Sequence, residues 1–205
     1  MRKSSKGLII LEAFKLFSCN TYEQVTYNEL EKSTNLSRGA LLYHFKTKED
    51  IFKAVCDKYL IQESSIQKKI DERISPEMTL KQFIDLYIEI VREIKYSMKE
   101  LGIKNINKAL INITNQATYY YPNFEIDAMK WQARQIQLWN DVLKKAKKQG
   151  EIRKELDIDT LSDLFEDVYC GVSYSGIVYP EGIEIERLEK AFHFIYKAIG
   201  LCCNG

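Results

Sequence analysis

The sequence predicts an all-α fold of about nine helices, and three observations carry that expectation. Gly and Pro are scarce, 9 and 3 among 205 residues, whereas strands joined by tight turns draw on both. Apolar residues recur at i, i+3 and i+4 over long stretches, the spacing of one helix face, and no stretch alternates with period two. Helix-start signals punctuate the first quarter of the chain at short intervals.

The first helix is expected from about Lys6 to Cys19, where Leu8, Leu11, Phe14 and Phe17 lie on one broad apolar face. Thr26-Tyr27-Asn28-Glu29 is a capping box and opens a short helix to about Ser33. Asn35-Leu36-Ser37 then reads as a turn, with Ser37 capping a second short helix through Tyr43 or His44. Thr47-Lys48-Glu49-Asp50 caps a third, which is expected to run long, to about residue 73. Beyond Pro76 the helices lengthen. Leu80, Phe83, Ile84, Tyr87, Ile88, Val91, Ile94 and Met98 mark one that ends at Gly102. Others are expected over about Asn105–Thr118, Asn123–Gln149, Asp159–Tyr179 and Ile183–Leu201, with Tyr119-Tyr120-Tyr121-Pro122 as a break.

Composition excludes more than it assigns. With 45% apolar residues a substantial core can form. Net charge is +1; residues 1–58 hold 10 Lys and Arg against 7 Asp and Glu, and the rest 20 against 22, a mild asymmetry. Cys19, Cys56, Cys170, Cys202 and Cys203 are odd in number and fit free thiols in a reducing compartment. No C-x-x-C occurs, and His44 and His193 lie in separate helical segments, so neither a metal site nor any other cofactor is expected. No run approaches the ~18 apolar residues of a membrane span, and no signal peptide is visible, so a cytoplasmic protein is expected. No phosphate loop and no nucleophile–base pair argues for an enzyme.

Two short helices joined by about three turn residues, within 26–45, form a helix-turn-helix pattern. Such helices are too short to stand alone and borrow a core from their neighbours; Leu30, Leu36, Leu41 and Phe45 fit that core. Val25-Thr26-Tyr27-Asn28-Glu29-Leu30, followed by the run from Leu36 to Ile51 with Gly-Ala-Leu-Leu-Tyr-His-Phe-Lys-Thr-Lys-Glu-Asp at its centre, resembles the N-terminal domain of TetR-like transcriptional regulators over about Lys6 to Val55. Gly150-Glu151-Ile152-Arg153 also looks like a feature of that family.

The resemblance implies a DNA-binding domain over 1–50, with a connecting helix over about 47–73, and a ligand-sensing and dimerisation domain over 51–205. It implies that Thr26 and Ser37 meet phosphate, each also being an N-cap. Arg38 then reaches guanine or phosphate, Gly39 permits close approach, and Ala40 meets a thymine methyl. Tyr43, His44 and Lys48 are expected on the DNA backbone. Leu42 stands where the family often has Tyr, which removes a polar contact from the reading helix.

In the second domain, large side chains on several helices, Phe83, Tyr87, Met98, Met129, Trp131, Phe165 and Tyr169, are candidates to line an effector pocket. Arg92, Asn112, Gln116, Gln132 and Asn140 are polar groups available to orient a ligand, and none stands out. Leu164, Val168, Val172, Gly176, Leu188, Phe192 and Ile195, on the last two helices, are candidates for a homodimer interface. The expected function is a ligand-responsive repressor on a near-palindromic DNA operator, the alternative an architectural or protein-partnered regulator without a small-molecule effector.

Overall fold

A computed structural model describes residues 4–62 and 66–201. Among them the chain forms ten α-helices and no strand; one isolated bridge pairs Ile152 with Gly200. No helix is long and apolar enough to cross a membrane among the described residues. Cys202 and Cys203, expected as free thiols, lie outside the described residues. Two compact units emerge, one from residues 1–65 with 108–128, the other from 66–107 with 129–205.

The first unit contains α1 (Ser5–Cys19), α2 (Tyr27–Thr34), α3 (Arg38–His44) and α4 (Lys48–Cys56), together with most of α7 (Ile106–Tyr120) and the first turn of α8 (Phe124–Gln149). α1 is buried over much of its girth, with Ile9, Ala13, Phe14 and Phe17 fully inside, as a helix apolar nearly all round must be. Phe17 meets Phe52 of α4 edge-on at 4.9 Å, and Tyr22 stacks on Tyr120 of α7 at 4.1 Å. Leu30, Leu41 and Phe45 complete this core, and Leu36 is half-buried beside them.

The helix expected from Thr47 to about residue 73 differs in the structure. α4 ends at Cys56, a π-helical turn occupies Asp57–Gln62, and α5 spans Ile66–Asp71. A π turn accommodates one residue too many for regular i→i+4 bonding. Apolar periodicity is blind to that change in hydrogen bonding, because Tyr59 and Ile66 remain buried.

The second unit contains α5, α6 (Leu80–Glu100), the larger part of α8, α9 (Ile158–Ser175) and α10 (Ile185–Ile199). Its centre is aromatic: Trp139 stacks on Phe165 at 4.5 Å and meets Phe83, Tyr87 and Phe192 at 5.0–5.3 Å. α9 stops at Ser175, short of the expected Tyr179, and Gly176–Val178 continue as a 3-10 turn ahead of Pro180. Gly176 is obligatory there, because a Cβ would come within 2.7 Å of the Ile183 backbone nitrogen. Asn105 and Asn107 hold the following loop: the Asn105 amide donates to the Tyr179 carbonyl, and the Asn107 side-chain oxygen accepts from the Ile183 N–H at 2.8 Å.

The Gly150-Glu151-Ile152-Arg153 segment now has a structural reason. Gly150 adopts φ 74° and ends α8. The Glu151 carboxylate accepts the first two free amides of α6, from Leu80 at 2.8 Å and Lys81 at 3.1 Å, and also the Tyr196 hydroxyl. A carboxylate on a helix N-terminus satisfies orphan donors and opposes the helix dipole favourably. Ile152 is fully buried, and the Arg153 N–H donates to the last carbonyl of α10.

Candidate functional site

Each element of the helix-turn-helix is fixed at its start by a side-chain cap. The Thr26 hydroxyl accepts from Glu29 N–H at 3.3 Å, and the Glu29 carboxylate returns to Thr26 N–H at 2.7 Å. Ser37 accepts from Ala40 N–H at 3.3 Å, and Thr47 and Asp50 make a second capping box on α4. The turn between α2 and α3 is set by Asn35, in the left-handed region at φ 54°, and by Thr34. The Thr34 hydroxyl donates to the Leu30 carbonyl at 2.6 Å and accepts from Leu36 N–H at 3.3 Å. Asn tolerates that backbone conformation better than other non-glycine residues.

α3 divides cleanly. Leu41 is fully buried, whereas Ser37, Arg38 and Gly39 are exposed, Leu42 is 40% exposed and Tyr43 85%. Ala40 and His44 are half-buried, and the Tyr43 ring meets His44 edge-on at 5.1 Å. Ser37, Arg38, Gly39, Leu42 and Tyr43 thus form the outward face of this helix, with Tyr43 in contact with His44.

Two neighbours of this face were not singled out in the sequence. The Arg38 guanidinium lies over the Tyr27 ring, 4.7 Å from its centre. The Arg38 N–H, at the start of α3, donates to the Glu31 carboxylate at 2.6 Å. Val25, Thr26, Tyr27, Asn28, Arg38 and Lys48 enclose a shallow crevice of about 370 Å³. Thr26, Arg38 and Lys48, distant in sequence, are therefore brought together.

Lys48 has partners inside the chain. Its ammonium donates to the carbonyls of Tyr22 and Val25 at 2.9 and 3.2 Å and sits 4.0 Å from the centre of the Tyr22 ring. It ties the segment between α1 and α2 to the start of α4. A lysine at the start of a helix gives no local sign of such partners, which lie 23 and 26 residues away.

The second unit bears a separate concavity. An open cleft of about 670 Å³ runs along α8, where Arg134, Gln137, Leu138, Asp141, Val142 and Lys145 share one face. Ile74, Pro76 and Met78 of the α5–α6 segment and Phe83 of α6 line the rest, with Gln67 and Asp71 of α5. Of the sequence candidates for a pocket, Phe83 lines this cleft. Tyr87 and Phe165 are packed in the aromatic centre, and Tyr169 meets Tyr87 at 5.5 Å. Met98 is buried, Met129 is exposed, and Trp131 is half-buried. Arg92 pairs with Glu189, Asn140 donates to Asp159, and Gln132 is exposed.

The dimer candidates also separate. Leu188 and Phe192 are fully buried within the chain, Val172 and Gly176 are buried, and Val168 and Ile195 lie half-buried against the same core. On the same segments Leu164 is 42% and Phe194 73% exposed, and Tyr174 and Val178 are exposed as well.

An exposed reading helix, capped and braced by two others, defines a helix-turn-helix DNA-binding protein. Residues 9–55 match the model of the family "Bacterial regulatory proteins, tetR family". Over 104 residues the chain is 29% identical to the uncharacterized HTH-type transcriptional regulator YerO of Bacillus subtilis; the match covers 49% of this chain and spans 36% of that regulator's length. It is 20% identical over 185 residues to the "Probable acrEF/envCD operon repressor" of Escherichia coli K12, covering 89% of this chain and 80% of the relative. The fold is shared with the TetR family protein CprB from S. coelicolor, with a TM-score of 0.65 at 18% identity, over 98% of this chain and 90% of that one. This N-terminal segment is TetR-like, and the comparisons support a DNA-binding transcriptional regulator.

Proposed function

We propose that this protein is a cytoplasmic, ligand-responsive repressor that binds a near-palindromic operator as a homodimer. The open cleft of about 670 Å³ in the second unit carries the ligand-responsive part. Its volume falls within the ~300–1,000 Å³ of small-molecule sites, and its lining sets Ile74, Met78, Phe83, Leu138 and Val142 among polar and charged side chains. The name of the Escherichia coli relative supports repression as the sign of regulation.

In the DNA-bound state α3 enters the major groove. Arg38 reaches a base edge or phosphate, Gly39 and Ala40 let the helix approach, and Leu42 and Tyr43 face the groove wall. Thr26, Ser37, Tyr43, His44 and Lys48 stand toward the phosphates. One seven-residue helix makes few base contacts, so affinity and specificity require a second reader about 34–36 Å away. The outward apolar residues Leu164 and Tyr174 of α9, Val178 of the 3-10 turn that follows it and Phe194 of α10 supply the contact between copies. Ligand bound unequally to two conformations shifts the spacing of the readers and releases the operator.

Selection of sites from random DNA tests this directly. The expected yield is two half-sites in inverted repeat, one helical turn apart or a multiple of it; recovery of single, unpaired sites overturns the dimeric reading. A ligand that raises the melting temperature of the protein is expected to weaken operator binding, and ligands that stabilise without releasing DNA count against the sensor.

A further inference from the structure

The reading helix is tied to α2 by a carboxylate that its own capping does not require. Ser37 already caps α3 through the Ala40 N–H. Glu29 and Asp50 close capping boxes at the starts of their own helices, each three residues from its cap. Glu31 acts differently. From the middle of α2 its carboxylate reaches across the turn and accepts the Arg38 N–H at 2.6 Å, seven residues further on. Tyr27 stands at i−4 from Glu31 and so shares its face of α2. That face holds Arg38 twice: the carboxylate takes its main-chain N–H, and the ring lies 4.7 Å from its guanidinium.

The charge of Glu31 is not matched by a cation. Among the described residues no ion pair includes it. The Arg38 guanidinium lies over Tyr27 instead, and the Lys48 ammonium is engaged by the Tyr22 and Val25 carbonyls. Glu31 is half-buried, on the N–H of the residue that follows Ser37. Ser37 stands toward the phosphates when α3 is in the groove, so the carboxylate meets a dense row of like charges as DNA arrives. At 0.1 M salt charges within about 10 Å of one another are incompletely screened.

We infer that Glu31 is an affinity-limiting residue of the reader. Held on the Arg38 main chain, its carboxylate opposes the phosphates of every sequence, and the protein grips DNA less tightly than its cations alone would allow. Tyr27, on the same face, sets the resting place of the Arg38 side chain. Phosphate attraction carries no sequence information, so damping it leaves binding more dependent on base contacts. This inference rests on α3 being the DNA reader.

Fluorescence anisotropy of the full chain with two duplexes, one recovered by site selection and one scrambled, tests it across a salt series. Glu31→Gln keeps an acceptor for the Arg38 N–H and removes only the charge. It is expected to bind both duplexes about threefold to tenfold more tightly near 0.1 M salt, with the gain fading toward 1 M as charges are screened. Its melting temperature should stay that of the parent. Glu31→Lys, which reverses the charge, is expected to extend the gain by a similar factor, a graded response that loss of a brace between α2 and α3 does not give. Equal or weaker binding by the Gln variant overturns the inference and leaves Glu31 a brace alone. A gain that salt does not diminish overturns it too, because repulsion between charges would not be its cause. Tyr43→Ala, measured alongside, reports on the reader itself. If it weakens binding while Glu31→Gln changes nothing, the inference fails and the reader stands. If neither variant alters binding to any duplex, the reader fails and the inference with it.

Discussion

Gln116 donates its side-chain amide to the main-chain carbonyl of Phe17 across 3.0 Å. Asn112, one turn earlier on α7, does the same for Ser18 at 2.9 Å. The last carbonyls of a helix have no partner within it, so these two amides complete the end of α1. Each such bond is worth about 1 kcal/mol. The double variant Asn112→Ala, Gln116→Ala is expected to lose about 2 kcal/mol in urea unfolding. An unchanged midpoint would show that water serves the carbonyls equally well.

Lys48 and Tyr43 are expected to part company. Lys48→Ala leaves the Tyr22 and Val25 carbonyls and the Tyr22 ring without their ammonium. It should lower stability by about 1–3 kcal/mol and weaken DNA binding with it. Tyr43 projects into solvent, so Tyr43→Ala should weaken binding to every sequence alike while the melting temperature holds. A Lys48 variant with full stability and reduced DNA affinity would make that lysine a phosphate contact only.

These contrasts mark what the sequence discloses. The caps of α2, α3 and α4 are legible because cap and recipient are three residues apart, and the buried Leu30, Leu41 and Phe45 follow from helical phase. Lys48 to Tyr22, Gln116 to Phe17 and Glu151 to Leu80 join residues 26, 99 and 71 positions apart. No local rule of spacing anticipates them. Leu188 and Phe192 were legible as apolar but not as inward-facing, because a helix with apolar residues on two sides does not say which side its own chain covers. The cleft is less legible still, since it is lined by side chains from α5, α6, α8 and an irregular segment.

Arg38 must leave the Tyr27 ring to reach a base, giving up about 0.5–1 kcal/mol at an exposed site. Arg38→Ala is expected to relax preference at one base pair of each half-site by about 1–3 kcal/mol. Sites selected by the variant should therefore lose that position and keep the rest. A uniform fall in affinity, with the selected sequence unchanged, would assign Arg38 to phosphate.

Glu166 makes stability depend on pH. Its carboxyl titrates near 4.5 when unfolded and, through burial, near 7 when folded. Below about pH 4.5 both states are protonated and nothing is lost. As pH rises from there to about 7, only the unfolded state ionises freely, and the folded state loses about 3 kcal/mol relative to it. Glu166→Gln removes that dependence. The variant should match the parent near pH 4 and exceed it by about 3 kcal/mol at pH 8 in urea unfolding. A difference that does not change with pH would mean the carboxyl is already paired.

The outward face of α9 and α10 makes the last prediction. Leu164 and Phe194 are exposed in the single chain although both are large and apolar, and burying such side chains contributes about 1.5–3 kcal/mol each. A twofold contact repeats every residue of the patch on both partners, so one charge on it is introduced twice, against itself. Leu164→Glu with Phe194→Glu is expected to yield monomers by sedimentation. Because each reader alone makes few base contacts, operator affinity should fall at least a hundredfold, while circular dichroism stays that of a folded helical protein. Leu188→Glu, by contrast, places a charge in the chain's own core and should unfold the second unit before any question of assembly arises. If the surface double variant remains dimeric, the copies meet elsewhere, and the exposed Tyr174 and Val178 would then need another partner.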